Sequence, residues 1–128
     1  MGCDFVTSRI TERPFVLASG SPRRSAILRG LDVDFELDPH RIEEFEVPDE
    51  TPEEHVVRLA MDKALDAADR RKRGTVLGAD TIVLLDSRIV GKPTDESDAR
   101  AMLAELRGRD HEVLTGLALV RAGDRAAV

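Results

Sequence analysis

A chain of 128 residues, 41% hydrophobic and 34% charged, is long enough for one core and has the make-up of an ordinary folded domain rather than a disordered one. The net charge of −6, and four Phe with no Trp or Tyr to stack on bases, argue against non-specific binding to nucleic acid. No apolar run reaches the ~20 residues of a membrane span. The N-terminus has no signal-peptide core. One Cys and three scattered His offer neither an internal disulfide nor a spaced metal cluster, so a reducing, cytoplasmic setting is expected.

Residues 1–13 show no periodicity and read as a flexible leader, with a single domain over 14–128. Phe15 to Ala18 has the length of a buried strand and stops at Ser19-Gly20-Ser21. A helix should start there, with Ser21 as N-cap and Pro22 in the first turn, Ile27 and Leu28 facing inward, and an end near Gly30. Such a corner presents backbone N–H groups and the positive end of a helix dipole, and Arg23 and Arg24 add two charges. It suits a phosphate; equally, the arginines could sit in solvent at an ordinary helix start. Val33, Phe35 and Leu37 then alternate with acids in the period of a half-buried strand, which Pro39 ends. From His40 to Thr51 the chain is acidic and irregular, which on composition is mostly solvated loop.

Thr51-Pro52-Glu53-Glu54 opens a second helix running to about Arg73, with Val56, Leu59, Ala60, Ala64 and Ala67 on its inward stripe. Lys63 falls on that stripe, where it either snorkels to the edge or points into a polar cleft. Thr75 to Leu85 is too apolar for a sheet with one wet face and reads as a central strand. Asp80 interrupts it. A carboxylate there needs a cation, a donor cluster or a water-filled cleft, or else sits in a local bulge. Asp86-Ser87 suits a hairpin turn, and Lys92 lies between Gly91 and Pro93, by itself an exposed position. A third helix follows Thr94 or Asp95, with Ala99, Met102, Leu103 and Leu106 inward, and His111 to Val120 returns to strand. Alternating strands and helices with one hairpin predict an α/β domain with a mixed, twisted sheet flanked by helices.

Taken together, Leu-Ala-Ser-Gly-Ser-Pro-Arg-Arg at 17–24, Gly-Ala-Asp-Thr at 78–81, Gly-Lys-Pro at 91–93 and the stretch 102–116 resemble the Maf family of nucleoside triphosphate pyrophosphatases. The resemblance implies an inosine-triphosphatase-like fold with a deep cleft, often dimeric. It also implies cleavage of a nucleotide to its monophosphate and pyrophosphate with a divalent metal, Mg²⁺ or Mn²⁺. Carried across, Ser19, Arg23 and Arg24 would hold phosphates, Asp80, Lys63 and Lys92 would be catalytic, and Glu44 and Asp80 would hold the metal. Arg23 and Thr81 resemble the branch acting on dTTP, UTP and modified pyrimidines rather than the one acting on 7-methyl-GTP. Two departures stand out: Arg107 replaces the family's usual Ser before Gly108, and the family's C-terminal portion, with a glutamine-bearing part of the site, lies beyond the stretch that matches. A non-catalytic nucleotide-binding or cell-division regulatory role is the alternative that this second departure implies.

Overall fold

The computed structural model describes residues 13–91, 94–123 and 126–127; the leader expected over 1–13 therefore falls almost wholly outside the described residues. β1 (Phe15–Leu17) leads through Ser19-Gly20 into α1 (Pro22–Gly30). Ser21 caps α1 by accepting from the Arg24 amide at 3.4 Å, and the proline stands at the start of the helix. β2 is only Glu36–Leu37, shorter than the alternation from Val33 implies. Among the described strands its one neighbour is β1, itself three residues long, which limits the ladder it can join.

α2 (Pro52–Asp69) begins with a reciprocal capping box. Thr51 Oγ1 accepts from the Glu54 amide at 3.1 Å, and Glu54 Oε1 accepts from the Thr51 amide at 3.4 Å. β3 (Thr75–Leu85) follows, then a two-residue turn in which Asp86 and Ser87 both take positive φ, as a tight hairpin requires, into β4 (Arg88–Val90). α3 (Glu96–Leu106) is capped by Asp95, which accepts from the Asp98 amide at 2.7 Å. β5 (Glu112–Arg121) and β6 (Ala126–Ala127) complete the sheet.

The described strands run in the order β2-β1-β3-β5-β6, with β4 beside β3. β1 is parallel to β2 and β3, and the β3–β4, β3–β5 and β5–β6 pairs are antiparallel. This is the expected mixed α/β sheet. β3 and β5 pair without a break from Thr75↔Arg121 to Leu84↔Glu112.

One face of that pair is covered by α2, whose Ala60, Ala64 and Ala67 pack with Val16, Val76 and Val120 in the core. The approach is unusually close. A Cβ on Gly78 would lie 2.1 Å from the Ala60 carbonyl oxygen, and one on Gly116 would lie 2.4 Å from that of Val56. Only glycine fits at either position. On the other face Thr75, Ala79 and Leu85 of β3 are buried, but the β5 side chains stay wet: Val113 is 59% and Leu117 65% exposed. Two expected core residues share this fate, Ile27 of α1 and Leu103 of α3, while Leu28, Ala99, Met102 and Leu106 are half-buried. Apolar spacing marks a face as fit for burial, but burial also needs a neighbour, and among the described residues none covers these two.

Candidate active site

The unbroken β3–β5 register removes the bulge from consideration at Asp80, which lies opposite Gly116 on the face covered by α2. Lys63 reaches it from α2 with its Nζ 2.8 Å from Asp80 Oδ1, and the same Nζ lies 2.8 Å from Glu44 Oε1. Lys63 therefore points inward: it is 4% exposed and Asp80 5%. An ammonium between two carboxylates satisfies the requirement that buried charge be paired. Asp80 Oδ2 is buried with no hydrogen-bond partner among the described residues. Glu44 and Asp80, with His55, Leu59, Ile82 and Gly91, line a cavity of about 380 Å³. Lys92, the other expected catalytic lysine, lies outside the described residues.

The phosphate corner forms a second group. Ser19 is buried, and its Oγ accepts from the Ser21 amide and from Arg24 Nη1, both at 3.1 Å. Arg24 Nη2 donates to Thr81 Oγ1 at 3.0 Å, and that hydroxyl lies 3.0 Å from Thr115 Oγ1. Arg24 is thus half-buried and aimed by two hydroxyls, those of Ser19 and Thr81, the second of which is itself held by Thr115. Arg23 remains exposed. Both arginines, with Thr81, Thr115, Ile27 and Leu117, line a second cavity of about 400 Å³. Thr81 borders both cavities, so β3 at Asp80-Thr81 is the wall between them. The expected site residues are assembled as two groups on the two sides of one strand. Part of the corner's donor capacity is used internally, since Ser21 caps the Arg24 amide.

Several residues of this region escape a reading of the sequence. Thr115 is one; the others sit on the acidic segment and on α2. Arg58 donates to Glu50 through Nε at 2.6 Å and Nη2 at 3.0 Å, and Nη2 also donates to the Phe45 carbonyl at 2.7 Å. His55 Nδ1 lies 3.2 Å from Glu50 Oε1. The Arg58 hydrogen bonds outweigh burial and hold the Glu50 carboxyl below its ordinary range. At the other end of the segment, burial raises Asp38 and Asp66, yet hydrogen bonds prevail and lower both: from Arg70 and Arg71 to Asp38, and from Arg70 and the Arg41 amide to Asp66. Glutamate is so common in solvated loops that nothing in the composition of residues 40–50 separates Glu44 and Glu50 from their neighbours. Among the described residues, no group of three or more His, Cys, Asp or Glu is arranged to hold a metal ion by itself.

The family described as Maf-like protein matches residues 14–128. The chain belongs to this family. Curated relatives of this Maf-like chain include the "dTTP/UTP pyrophosphatase" of Clostridioides difficile (strain 630), 47% identical over 105 residues, 82% of this chain and 54% of that protein. The protein of the same name from Citrifermentans bemidjiense is 48% identical over 113 residues, 88% of this chain and 58% of that one. The chain spans about half the length of the curated relatives it matches. A "Nucleoside-triphosphatase / dITP/XTP pyrophosphatase" from Mycobacterium abscessus superposes with a TM-score of 0.48 at 18% identity, over 89% of this chain and 68% of that one.

Proposed function

We propose that this Maf-like chain carries the phosphate-binding and hydrolytic half of a nucleoside triphosphate pyrophosphatase that cleaves dTTP or UTP to the monophosphate and pyrophosphate. The observation that carries the reading is the buried Lys63, 2.8 Å from both Glu44 and Asp80, the two carboxylates that line a cavity. The names of relatives at 47% and 48% identity supply the substrate class.

In the reaction, water adds to the phosphorus next to the nucleoside, the bond to the bridging oxygen breaks, and pyrophosphate leaves as the water gives up a proton. Lys63 holds Asp80 through Oδ1, which leaves Oδ2 as the free oxygen to orient that water and accept its proton. Arg24, pre-aimed by Ser19 and Thr81, and Arg23 beside it would bind phosphoryl oxygens; a planar guanidinium suits that task, and its orientation is fixed before substrate arrives. Lys92 would add a further positive charge, and Arg23 and Thr81 would bear on the choice of a pyrimidine. Two carboxylates, one with an orphaned buried oxygen, fit a hard divalent cation such as Mg²⁺ or Mn²⁺, which takes one or two carboxylates and completes its shell with water and substrate phosphate. When bound, the metal would neutralise charge on the phosphoryl oxygens. A cytoplasmic setting and a homodimer belong to the same proposal, and sedimentation separates dimer from monomer.

The test is pyrophosphate release from dTTP, UTP and 7-methyl-GTP with Mg²⁺, with wild type set against Asp80→Asn. Loss of the base should lower the rate about 10²–10⁴-fold. Equal rates in the two proteins would remove Asp80 from the mechanism, and tight dTTP binding without product would make the chain a binder rather than an enzyme.

A further inference from the structure

We propose that Arg58 and Glu50 are positioning residues that hold Glu44 at the cavity. The segment that carries Glu44, residues 38–50, belongs to no helix or strand, and among the described residues its one backbone bond to the sheet is at its first residue, where the Asp38 amide donates to the Leu17 carbonyl at 3.0 Å. Apolar burial holds little of it: Ile42 is half-buried, but Phe45 is 63% and Val47 46% exposed. What holds it is one flank of α2. From the C-terminal end of the helix backwards, Arg70 grips Asp38 and the Pro39 carbonyl, Asp66 accepts from the Arg41 amide, Lys63 meets Glu44, and Arg58 takes the Phe45 carbonyl and Glu50. His55 closes the series on Glu50. These residues recur at helical spacing beside the apolar stripe, so a single rigid element sets the course of the whole segment.

Within that series the Arg58–Glu50 pair has a distinct job. Between the Arg41 amide and the cap at Thr51, the described contacts to α2 are those of Glu44 itself and those of Arg58 and His55. The Phe45 carbonyl bound by Arg58 belongs to the residue after Glu44, and Glu50 is only 9% exposed at its side chain, with both oxygens engaged by the guanidinium. A two-point fork fixes direction as well as distance. Without it, the backbone that carries Glu44 would lose its Arg58 anchor at the Phe45 carbonyl and would have to be ordered through the Glu44 side chain, against the entropy of the surrounding chain. Neither Arg58 nor Glu50 is assigned contact with substrate; they act through Glu44.

The consequence for ligand binding rests on the pyrophosphatase reading, so the experiment has one arm that does not. In that arm, amide exchange of the ligand-free chain and acetylation of Lys63 by acetic anhydride are compared for wild type, Glu50→Gln, Arg58→Met, Arg58→Lys and Glu44→Gln. Glu50→Gln and Arg58→Met should raise exchange over residues 44–50 by about tenfold or more, leave β3 and β5 amides unchanged, and speed Lys63 acetylation as much as Glu44→Gln does. Arg58→Lys, which keeps the charge and loses the fork, should fall between. Unchanged exchange, or acetylation that only Glu44→Gln accelerates, would overturn the assignment. The second arm measures, by calorimetry with Mg²⁺, the affinity for dTTP whose α,β-bridging oxygen is replaced by an uncleavable group. Glu50→Gln should weaken it about tenfold alone and cause no further loss in a Glu44→Gln background. Additive losses would overturn action through Glu44. A wild-type chain that fails to bind this analogue would sink the pyrophosphatase reading instead, and the first arm alone would then decide on the clamp.

Discussion

The two faces of the β3–β5 pair are built from the same strands and differ in almost everything else. On the side of α2, glycines at 78 and 116 admit the helix backbone, alanines fill the gap, and the charged group of Lys63, Glu44 and Asp80 is drawn into the structure. On the other side, Val113 and Leu117 remain in water, and the polar residues Arg24, Thr81 and Thr115 form a hydroxyl-supported network at the surface. Alternation along a strand supplies two faces of similar composition. What separates them is whether a helix lies on top, and with it whether a charge can be buried in a fixed place.

The largest test of this contrast is Lys63→Met. It removes the cation between two carboxylates at nearly constant volume and should destabilise the chain by about 3–5 kcal/mol in urea unfolding. Gly78→Ala should follow at about 1–3 kcal/mol or somewhat more, because its new methyl meets the Ala60 carbonyl rather than a side chain that can turn away. Acid provides a third test, confined to the flank of α2. Glu50, Asp38 and Asp66 have folded-state values below their unfolded ones, so they stabilise the fold above about pH 4–4.5 and lose that contribution as pH falls through the lowered values. The urea midpoint should therefore drop between pH 5 and 3, and Glu50→Gln should flatten part of the drop. On the open face, Thr115→Val should cost about 1 kcal/mol or less, since it removes only the Thr81–Thr115 hydrogen bond and Arg24 keeps both Ser19 and Thr81 as partners. Leu117→Ser should shift stability by no more than about 0.5 kcal/mol. A loss at Leu117 as large as that at Gly78 would mean that the two faces are equally packed in solution.

Much of the fold is legible in the sequence because the signals are local. Ser21-Pro22, Thr51-Pro52 and Asp95 mark helix starts through bonds within a single turn, and Thr75 to Leu85 and Asp86-Ser87 declare a strand and its hairpin by composition alone. The buried acid at Asp80 is also visible, since a carboxylate in so apolar a run demands a partner. Which partner it meets is not, because Lys63 is seventeen residues away and Glu44 thirty-six, and their meeting depends on where α2 lands on the sheet. The exposed Ile27 and Leu103 fail for the converse reason: periodicity reports what a helix could bury, not what is there to bury it. That Asp80 lines one cavity alone while Thr81 also reaches the other follows from the period of two, yet it matters only once the helix has covered one side.

The two glycines under α2 act as a mechanical seat. Carbonyls one turn apart on the helix, those of Val56 and Ala60, rest over Gly116 and Gly78 on neighbouring strands. Two such contacts leave no room for the helix to slide by a turn or to roll, since a neighbouring Cβ would then occupy the space each glycine leaves open. Lys63 and Asp80 are consequently parts of one stationary body, and opening or closing around the cavity falls to the pieces that line it from outside that body, residues 44–46 and 89–91 among them. The working parts of the molecule are thus divided, at two positions with no side chain, into a bed and the pieces that can travel over it.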